Sequence, residues 1–225
     1  AGMYDYSLYC APPVLHCKLN TISIISYSKL LVWDYRTPGI PDELFERTEE
    51  VPITKEDIRA ITISKLRLKE GHSAIDVGCG SGSITVELCL QTKGKIYAID
   101  FDEKAVELTK KNLQKFGVKA EQVILGRAQD ILPKLLEVDA IIVGGTWGDT
   151  KHVIELAVGR LKKGGRIVID TILIETMYQA LTALNELDLK EIDITQVTIS
   201  KARKVTTGTM MLARNPVTII SATKV

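Results

Sequence analysis

The 225-residue chain is short of aromatics: three Phe, two Trp and seven Tyr, 5% of its residues. That leaves little for the stacking platforms on which single-stranded nucleic acids are held. A surplus of one charge is also missing, with 29 Lys and Arg against 28 Asp and Glu. No global field therefore draws the protein to a polyanion or a membrane surface. No apolar run approaches the roughly 20 residues of a membrane span. The opening AGMYDYSLYC has neither the basic head nor the apolar stretch of a secretory leader, so a cytoplasmic protein is expected. The cysteines, at 10, 17, 79 and 89, follow no zinc spacing. Cys10 and Cys17 with His16 fall one ligand short of a closed structural site, and no metal is expected. Cys79 and Cys89 read as small buried hydrophobes. The three histidines, at 16, 72 and 152, form no catalytic-looking constellation. What remains, 45% hydrophobic and 25% charged residues, suits one α/β domain with a real core.

From Thr54 onward the pattern alternates. A helix is read over 54–71, a strand at SAIDVG, a helix through ITVELCLQ and a strand over 95–100. The helix over 102–117 is capped by Asp102 and closed by Gly117. Then come a strand at QVILG, a short helix at ILPKLL and a strand over 139–145. A helix over 152–165 ends in a double glycine, and a strand follows over 166–173. Strands alternating with helices predict an α/β fold with a doubly wound parallel sheet. The first glycine turn then falls at the carboxyl edge of that sheet, near its topological switch point. After a helix over 175–187, two long β-like stretches, 190–205 and 209–225, break the alternation. With TTG between them they predict a hairpin that adds an antiparallel strand. Residues 37–225 form this domain. Residues 1–36 are an extension outside the scheme, although TISIISYS (21–28) reads as an extra strand.

The glycine turn reads Gly78-Cys79-Gly80-Ser81-Gly82. A dinucleotide fingerprint is G-x-G-x-x-G, which seats a pyrophosphate on a helix N-terminus. Here the spacing is G-x-G-x-G, and Asp76 precedes it where a diphosphate would be repelled. An acid there suits a cationic ligand such as an amino group or a sulfonium, and otherwise caps nearby amides. Asp100 ends the next strand, about twenty residues past the turn, where a carboxylate accepts from a ribose diol.

Together, DVGCGSG and YAID resemble the class I S-adenosylmethionine-dependent methyltransferases. That resemblance implies a Rossmann-like, mostly parallel seven-stranded sheet with a C-terminal antiparallel hairpin, and S-adenosylmethionine as cofactor. GIPDELFERTEEVPITKEDIRAITISKLRL (39–68), VGG after the fourth strand and GTMMLARNPVTII (208–220) narrow it. Over 37–225 the chain is similar to the decarboxylating precorrin methyltransferases of cobalamin synthesis, the precorrin-6Y methylase family. These methylate C15 of cobalt-precorrin-6B and release carbon dioxide from the C12 acetate. The resemblance implies a homotetramer and an anionic tetrapyrrole substrate. It also implies cofactor contacts from Thr54 and from Gly78, Cys79, Gly80, Ser81 and Gly82. Asp100 would hold the ribose, and Ala128 in GRAQD would lie by the adenine. Thr54 with Asp57 also reads as a capping-box-like helix start, and both readings hold together. Two features depart from the family. Arg127 stands where relatives tend to carry an acid, and arginine cannot accept a hydrogen bond from an adenine amino group. Asp130 or the backbone would have to replace it. Residues 1–36 have no counterpart.

On the substrate side, Gly144 and Gly145 open the loop GGTWGDTK and let a flat macrocycle approach the backbone. Trp147 either stacks on that macrocycle or packs in an interface. His152 either faces the pocket or starts its helix in solvent. The (D/N)PP(Y/F) signature of amino-group methyltransferases is absent, which argues against a nitrogen acceptor. After Asp193 no acidic residue occurs, while Lys201, Arg203, Lys204, Arg214 and Lys224 follow. Such a strand pair suits substrate carboxylates, with Arg203 and Arg214 as first candidates. The plainer reading is a solvated face with lysines guarding an edge. A tRNA or other nucleic-acid methyltransferase of the same fold is the alternative, but it would want an added RNA-binding domain or a larger basic surface. A cofactor-binding scaffold without catalysis is the third reading. The two C-terminal stretches exceed what one sheet edge needs, so they are expected to pair between subunits of a homo-oligomer.

Overall fold

The computed structural model describes residues 32–146 and 148–225. The strand read at 21–28, Cys10, His16, Cys17 and Trp147 lie outside the described residues. Five strands run parallel: β1 (Ala74–Val77), β2 (Ile96–Asp100), β3 (Gln122–Leu125), β4 (Val138–Val143) and β5 (Leu161–Thr171). Two more join antiparallel neighbours at the far side, β6 (Leu189–Val197) and β9 (Val217–Lys224). The order across the sheet is β3-β2-β1-β4-β5-β9-β6, a mostly parallel seven-stranded sheet as the resemblance implies.

Alternate residues of the central strands feed two cores, so β1 and β2 are apolar nearly throughout. Ile75, Val77, Ile141, Val143, Ile167 and Ile169 face α5 (Thr150–Gly159) and α6 (Ile174–Glu186), meeting Ile154, Ala157, Ala180 and Leu184. Ala74, Ile96, Ala140, Ile142 and Val168 belong to the other core, which is covered by α1 (Glu56–Lys65), α2 (Ser83–Gln91) and α3 (Glu103–Phe116). Between β3 and β4 the chain crosses back over β2 and β1. The loops after β1 and β4 therefore leave in opposite directions and open a crevice between them.

Several boundaries differ from the sequence reading. The first helix stops at Lys65, because Arg67 turns left-handed at φ 51°. The capping box of Thr54 and Asp57 does not form; Lys55 stands at the N-cap and makes no side-chain bond there. The short helix lies earlier, as α4 (Ala128–Ile131), and a single 3-10 turn at Leu132–Lys134 follows it. The helix expected over 152–165 ends at Gly159, and β5 already begins at Leu161. Leu161 pairs with Val138, and the ladder resumes only at the Ala140–Arg166 pair, so the double glycine occupies an irregularity in β5. The C-terminal stretches each break in two. Their inner halves are β6 and β9; the outer halves, β7 (Ser200–Val205) and β8 (Gly208–Ala213), leave the sheet as a separate antiparallel ribbon. Pro216 sits in the gap between β8 and β9, where the lack of an N–H costs no ladder bond.

Candidate cofactor site

The glycine turn is built by close backbone approach. Gly78 has φ +75°, and a Cβ there would sit 2.6 Å from the Gly145 amide nitrogen. Gly82, also at φ +75°, N-caps α2, and a Cβ would meet Thr109 on α3 at 2.7 Å. Only glycine satisfies both constraints. The turn is held from below and from the side. The Gly78 and Cys79 amides donate to Ile99 O at 2.9 and 3.1 Å. Asn112 donates to Ser81 O at 2.8 Å, and Thr109 to Gly80 O at 3.0 Å. Burial pushes both thiols up, Cys89 to about 12 and Cys79 further, so these are packed thiols and not nucleophiles. The Ser81 hydroxyl is buried with no hydrogen-bond partner among the described residues.

Asp100 is the anchor of the site. Its Oδ2 accepts from the Gly80 amide at 2.9 Å and its Oδ1 from the Asp102 amide at 3.1 Å. These two bonds fix the carboxylate and leave lone pairs for a diol. Beside it opens a cleft of about 280 Å³ between the loops after β1 and β4. Val77, Gly78 and Gly145 form one wall, while Phe101, Ala128 and Gln129 form the other. The structure thus brings together Gly78, Asp100, Ala128 and Gly145, with Arg127, Thr146 and Asp149 also lining the cleft. Gly144 stands beneath, donating to Val77 O at 2.9 Å. Thr54 does not line the cleft; its carbonyl accepts from Arg59. Asp76 is also turned away. Its carboxyl accepts from Thr85 on α2 at 2.6 Å, and burial raises it to about 7, with Asp100 adding to the rise.

Sequence reasoning missed Phe101 and Gln129, while Thr146 and Asp149 belong to the loop it placed on the substrate side. Phe101 and Gln129 directly follow the singled-out Asp100 and Ala128, so neighbours at the carboxyl edge are the available signal. Asp130 does not line the cleft, and its amide donates back to Arg127 O at 3.0 Å. Where the acid is missing at Arg127, the polar group at this end is the Gln129 side chain, whose amide nitrogen donates to Asp149 at 3.2 Å. Its oxygen is the acceptor that arginine lacks.

The basic ribbon is less uniform than its sequence. Lys201 is ion-paired with Glu56 and Asp57 of α1, and Lys224 donates to Leu161 O at 2.6 Å. Arg203 and Lys204 are exposed and make no ion pair among the described residues. Arg214 lies 3.9 Å from Asp42, and its Nη1 is buried without a hydrogen bond. His152 is exposed on α5, 3.6 Å from Glu155, and outside the cleft. At the carboxyl end of β5, Ile172, Leu173 and Ile174, with Tyr178 a turn later, expose 61–74% of their surface. No helix among the described residues is long and apolar enough to cross a membrane.

The precorrin methyltransferase domain model matches residues 43–224, nearly the whole described chain. The chain belongs to the precorrin methyltransferase family. As a member it is a methyltransferase, and its relatives agree in length. A protein of Saccharolobus solfataricus named "Probable cobalt-precorrin-6B C(15)-methyltransferase (decarboxylating)" is 48% identical over 196 residues, covering 85% of this chain and 98% of that one. A protein of the same name from Methanocaldococcus jannaschii is 46% identical over 187 residues, covering 82% and 98%. Among solved structures, one described as precorrin 8W decarboxylase from Methanobacterium thermoautotrophicum superposes with a TM-score of 0.78 at 34% identity, covering 83% of this chain and all of that one. The sheet is that of the class I methyltransferases, and a second solved structure, described as precorrin-6y C5,15-methyltransferase from Geobacter metallireducens, superposes with a TM-score of 0.78 at 29% identity, covering 85% of this chain and all of that one.

Proposed function

We propose that residues 37–225 bind S-adenosylmethionine and transfer its methyl group to C15 of cobalt-precorrin-6B, with loss of the C12 acetate carboxylate. The observation that carries the cofactor half is Asp100, pinned by the Gly80 amide at the mouth of a cleft too tight for side chains at Gly78. The names of relatives at 43–48% identity support the substrate half. The cleft fits the cofactor chemically. Asp100 accepts from the ribose hydroxyls, Phe101 and Ala128 cover the adenine, and Gln129 offers its amide to the adenine edge. Gly78, where no side chain fits, leaves room for the amino acid end. Bound there, the cofactor supplies an electrophilic methyl on a sulfonium.

The chain's own work is positioning. Holding the two carbons aligned removes much of the barrier to an in-line displacement, and an enamine-like tetrapyrrole carbon is already nucleophilic. Gly144 and Gly145 keep the floor between the two ligands free of side chains. The apolar shelf at Ile172, Leu173 and Ile174 suits the flat face of a macrocycle, and Arg203 and Arg214 suit its carboxylates. The exposed ribbon, with Met210, Met211 and Leu212 uncovered, pairs in this reading with another copy of the chain in a homo-oligomer. The deciding assay follows label from S-adenosylmethionine into purified cobalt-precorrin-6B, with carbon dioxide counted beside it and bulk tRNA as the competing acceptor. Label in the tetrapyrrole with matched gas release supports the reading; label only in tRNA removes it.

A further inference from the structure

A decarboxylating methyltransferase must do one thing that methyl positioning does not explain: deliver a proton to the carbon that loses carbon dioxide. Asp170 stands where such a donor is needed. In register, Ile169 of β5 pairs with Val143 of β4, and Val143 with Val77 of β1. Asp170 is thus one residue further toward the carboxyl edge, level with Gly144 and Gly78. At about 4.8 Å per strand spacing it lies on the order of 10 Å across the sheet from the glycine turn, on the substrate side of it. The apolar shelf begins two residues later.

Its bonding is lopsided. Oδ2 accepts from the Thr62 hydroxyl of α1 at 2.7 Å, while Oδ1 is buried with no partner among the described residues. A buried carboxylate oxygen left without a donor is rare and needs a reason. A proton on Oδ1 removes the negative charge that would otherwise be buried there without a donor. With Thr62 occupying Oδ2, Oδ1 is also the oxygen left to carry it.

We infer that the Asp170 carboxyl is the general acid of the decarboxylation, an assignment that rests on the reaction proposed above. The bond between the acetate methylene and its carboxylate breaks and carbon dioxide leaves. The electron pair left on the methylene carbon is spread into the conjugated ring. Asp170 Oδ1–H then passes its proton to that carbon, closing it as a methyl group. The electrons of the O–H bond stay on Asp170 as a carboxylate, which water reprotonates before the next turnover.

The surroundings favour the protonated form. Burial raises the group to about 7, opposed by the Thr62 bond and reinforced by the charge of Asp76 on β1. Of its other neighbours, Ile219 pairs with it on β9 and is apolar. Of the charged groups on α1, Arg59 is engaged by Glu87 and Asp42, Lys65 by Asp193, and Glu56 and Asp57 by Lys201. An acid that titrates near neutrality is matched to proton delivery at neutral pH.

The test is a single-turnover measurement of carbon dioxide release and methyl transfer on cobalt-precorrin-6B. Asp170→Asn keeps the Thr62 bond and the volume but has no acidic proton. Its decarboxylation should slow by about 10²–10⁴-fold, with S-adenosylhomocysteine affinity unchanged by calorimetry. In the wild type the decarboxylation rate should fall above pH about 7, and this limb should vanish in Asp170→Asn. Thr62→Val removes the bond that favours the charged form, so the limb should move to higher pH. Wild-type gas release by Asp170→Asn, or a limb that persists in it or stays unmoved in Thr62→Val, overturns the assignment and leaves the proposed function standing. A wild-type protein that neither methylates nor decarboxylates this substrate overturns the proposed function, and the assignment with it.

Discussion

The two halves of the sheet are finished to different degrees. On the side of β1, β2 and β3, every loop that meets the cofactor cleft is tied internally. Gly80 is bonded to Asp100, Ser81 to Asn112, and Gly144 to Val77. On the side of β5 to β9 the structure keeps open ends. Ile172 to Ile174 are uncovered, the ribbon is exposed on both faces, and Arg203 makes no ion pair among the described residues. In the proposed reading the site for the small, constant cofactor is tied largely by the chain itself. The side proposed for a large anionic substrate, or for another subunit, has surface left over for that partner to finish.

The largest expected effect comes from breaking the finished half. Gly78→Ala forces a Cβ onto the Gly145 backbone at positive φ. It should abolish S-adenosylhomocysteine binding in calorimetry and cost about 3 kcal/mol or more, roughly 6–12 °C in Tm for a chain of this size. In the open half, Arg203→Ala should lower kcat/KM for the tetrapyrrole by about 10–100-fold, the range for losing one charge-assisted hydrogen bond, and spare cofactor affinity. Arg214→Ala should do the same, less cleanly, since it also frees Asp42. If both keep wild-type efficiency, the ribbon is a solvated face.

Smaller effects sharpen the contrast. Asp76 is held near 7 against an ordinary 3.8 by burial, so the folded chain keeps a proton that the unfolded chain releases. That group's contribution to stability therefore falls as pH rises from about 4 to about 7. Asp76→Asn should raise Tm at pH 8 and change it little at pH 4. A Tm gain equal at both pH values refutes the buried-acid account. Met211→Glu, on the exposed ribbon, should reduce the mass seen by light scattering and leave the monomer's Tm within a few degrees. Last comes Arg67→Ala, which removes a surface pair to Glu191 with both side chains more than half exposed; it should shift Tm by no measurable amount.

What could be read in the sequence follows the same division. The parallel half is periodic, its strands are apolar on both faces, and Asp102 and Gly117 punctuate α3 where expected. Asp100 was legible because its spacing from the turn is set by one βα unit. The α5–β5 boundary was not, since a double glycine marks a helix stop and a strand irregularity alike. Lys201 read as a free cation because nothing local reveals Glu56, 145 residues away in sequence. Asp170 was silent for the same reason: its character comes from Thr62, 108 residues distant. Arg59 was equally silent. It is buried under Phe45 with its ring centroid at 4.8 Å, and it gathers Glu87, Asp42 and two carbonyls from segments that only the fold brings together.

The position of β9 has a consequence for how the chain is made. It is the last strand in sequence, yet it lies between β5 and β6 and, among the described residues, is the one strand that pairs with β6 in the sheet. From Thr171 to Lys224 are 53 residues, which a ribosome takes about 3 to 10 s to add. For those seconds β5 is a bare edge bearing Ile167, Val168 and Ile169, and β6 has nothing to dock on. The nascent chain passes through a stage in which an apolar strand, open to edge pairing, waits for the eight-residue β9. Trimming those residues would leave a gap inside the sheet, not a shorter rim.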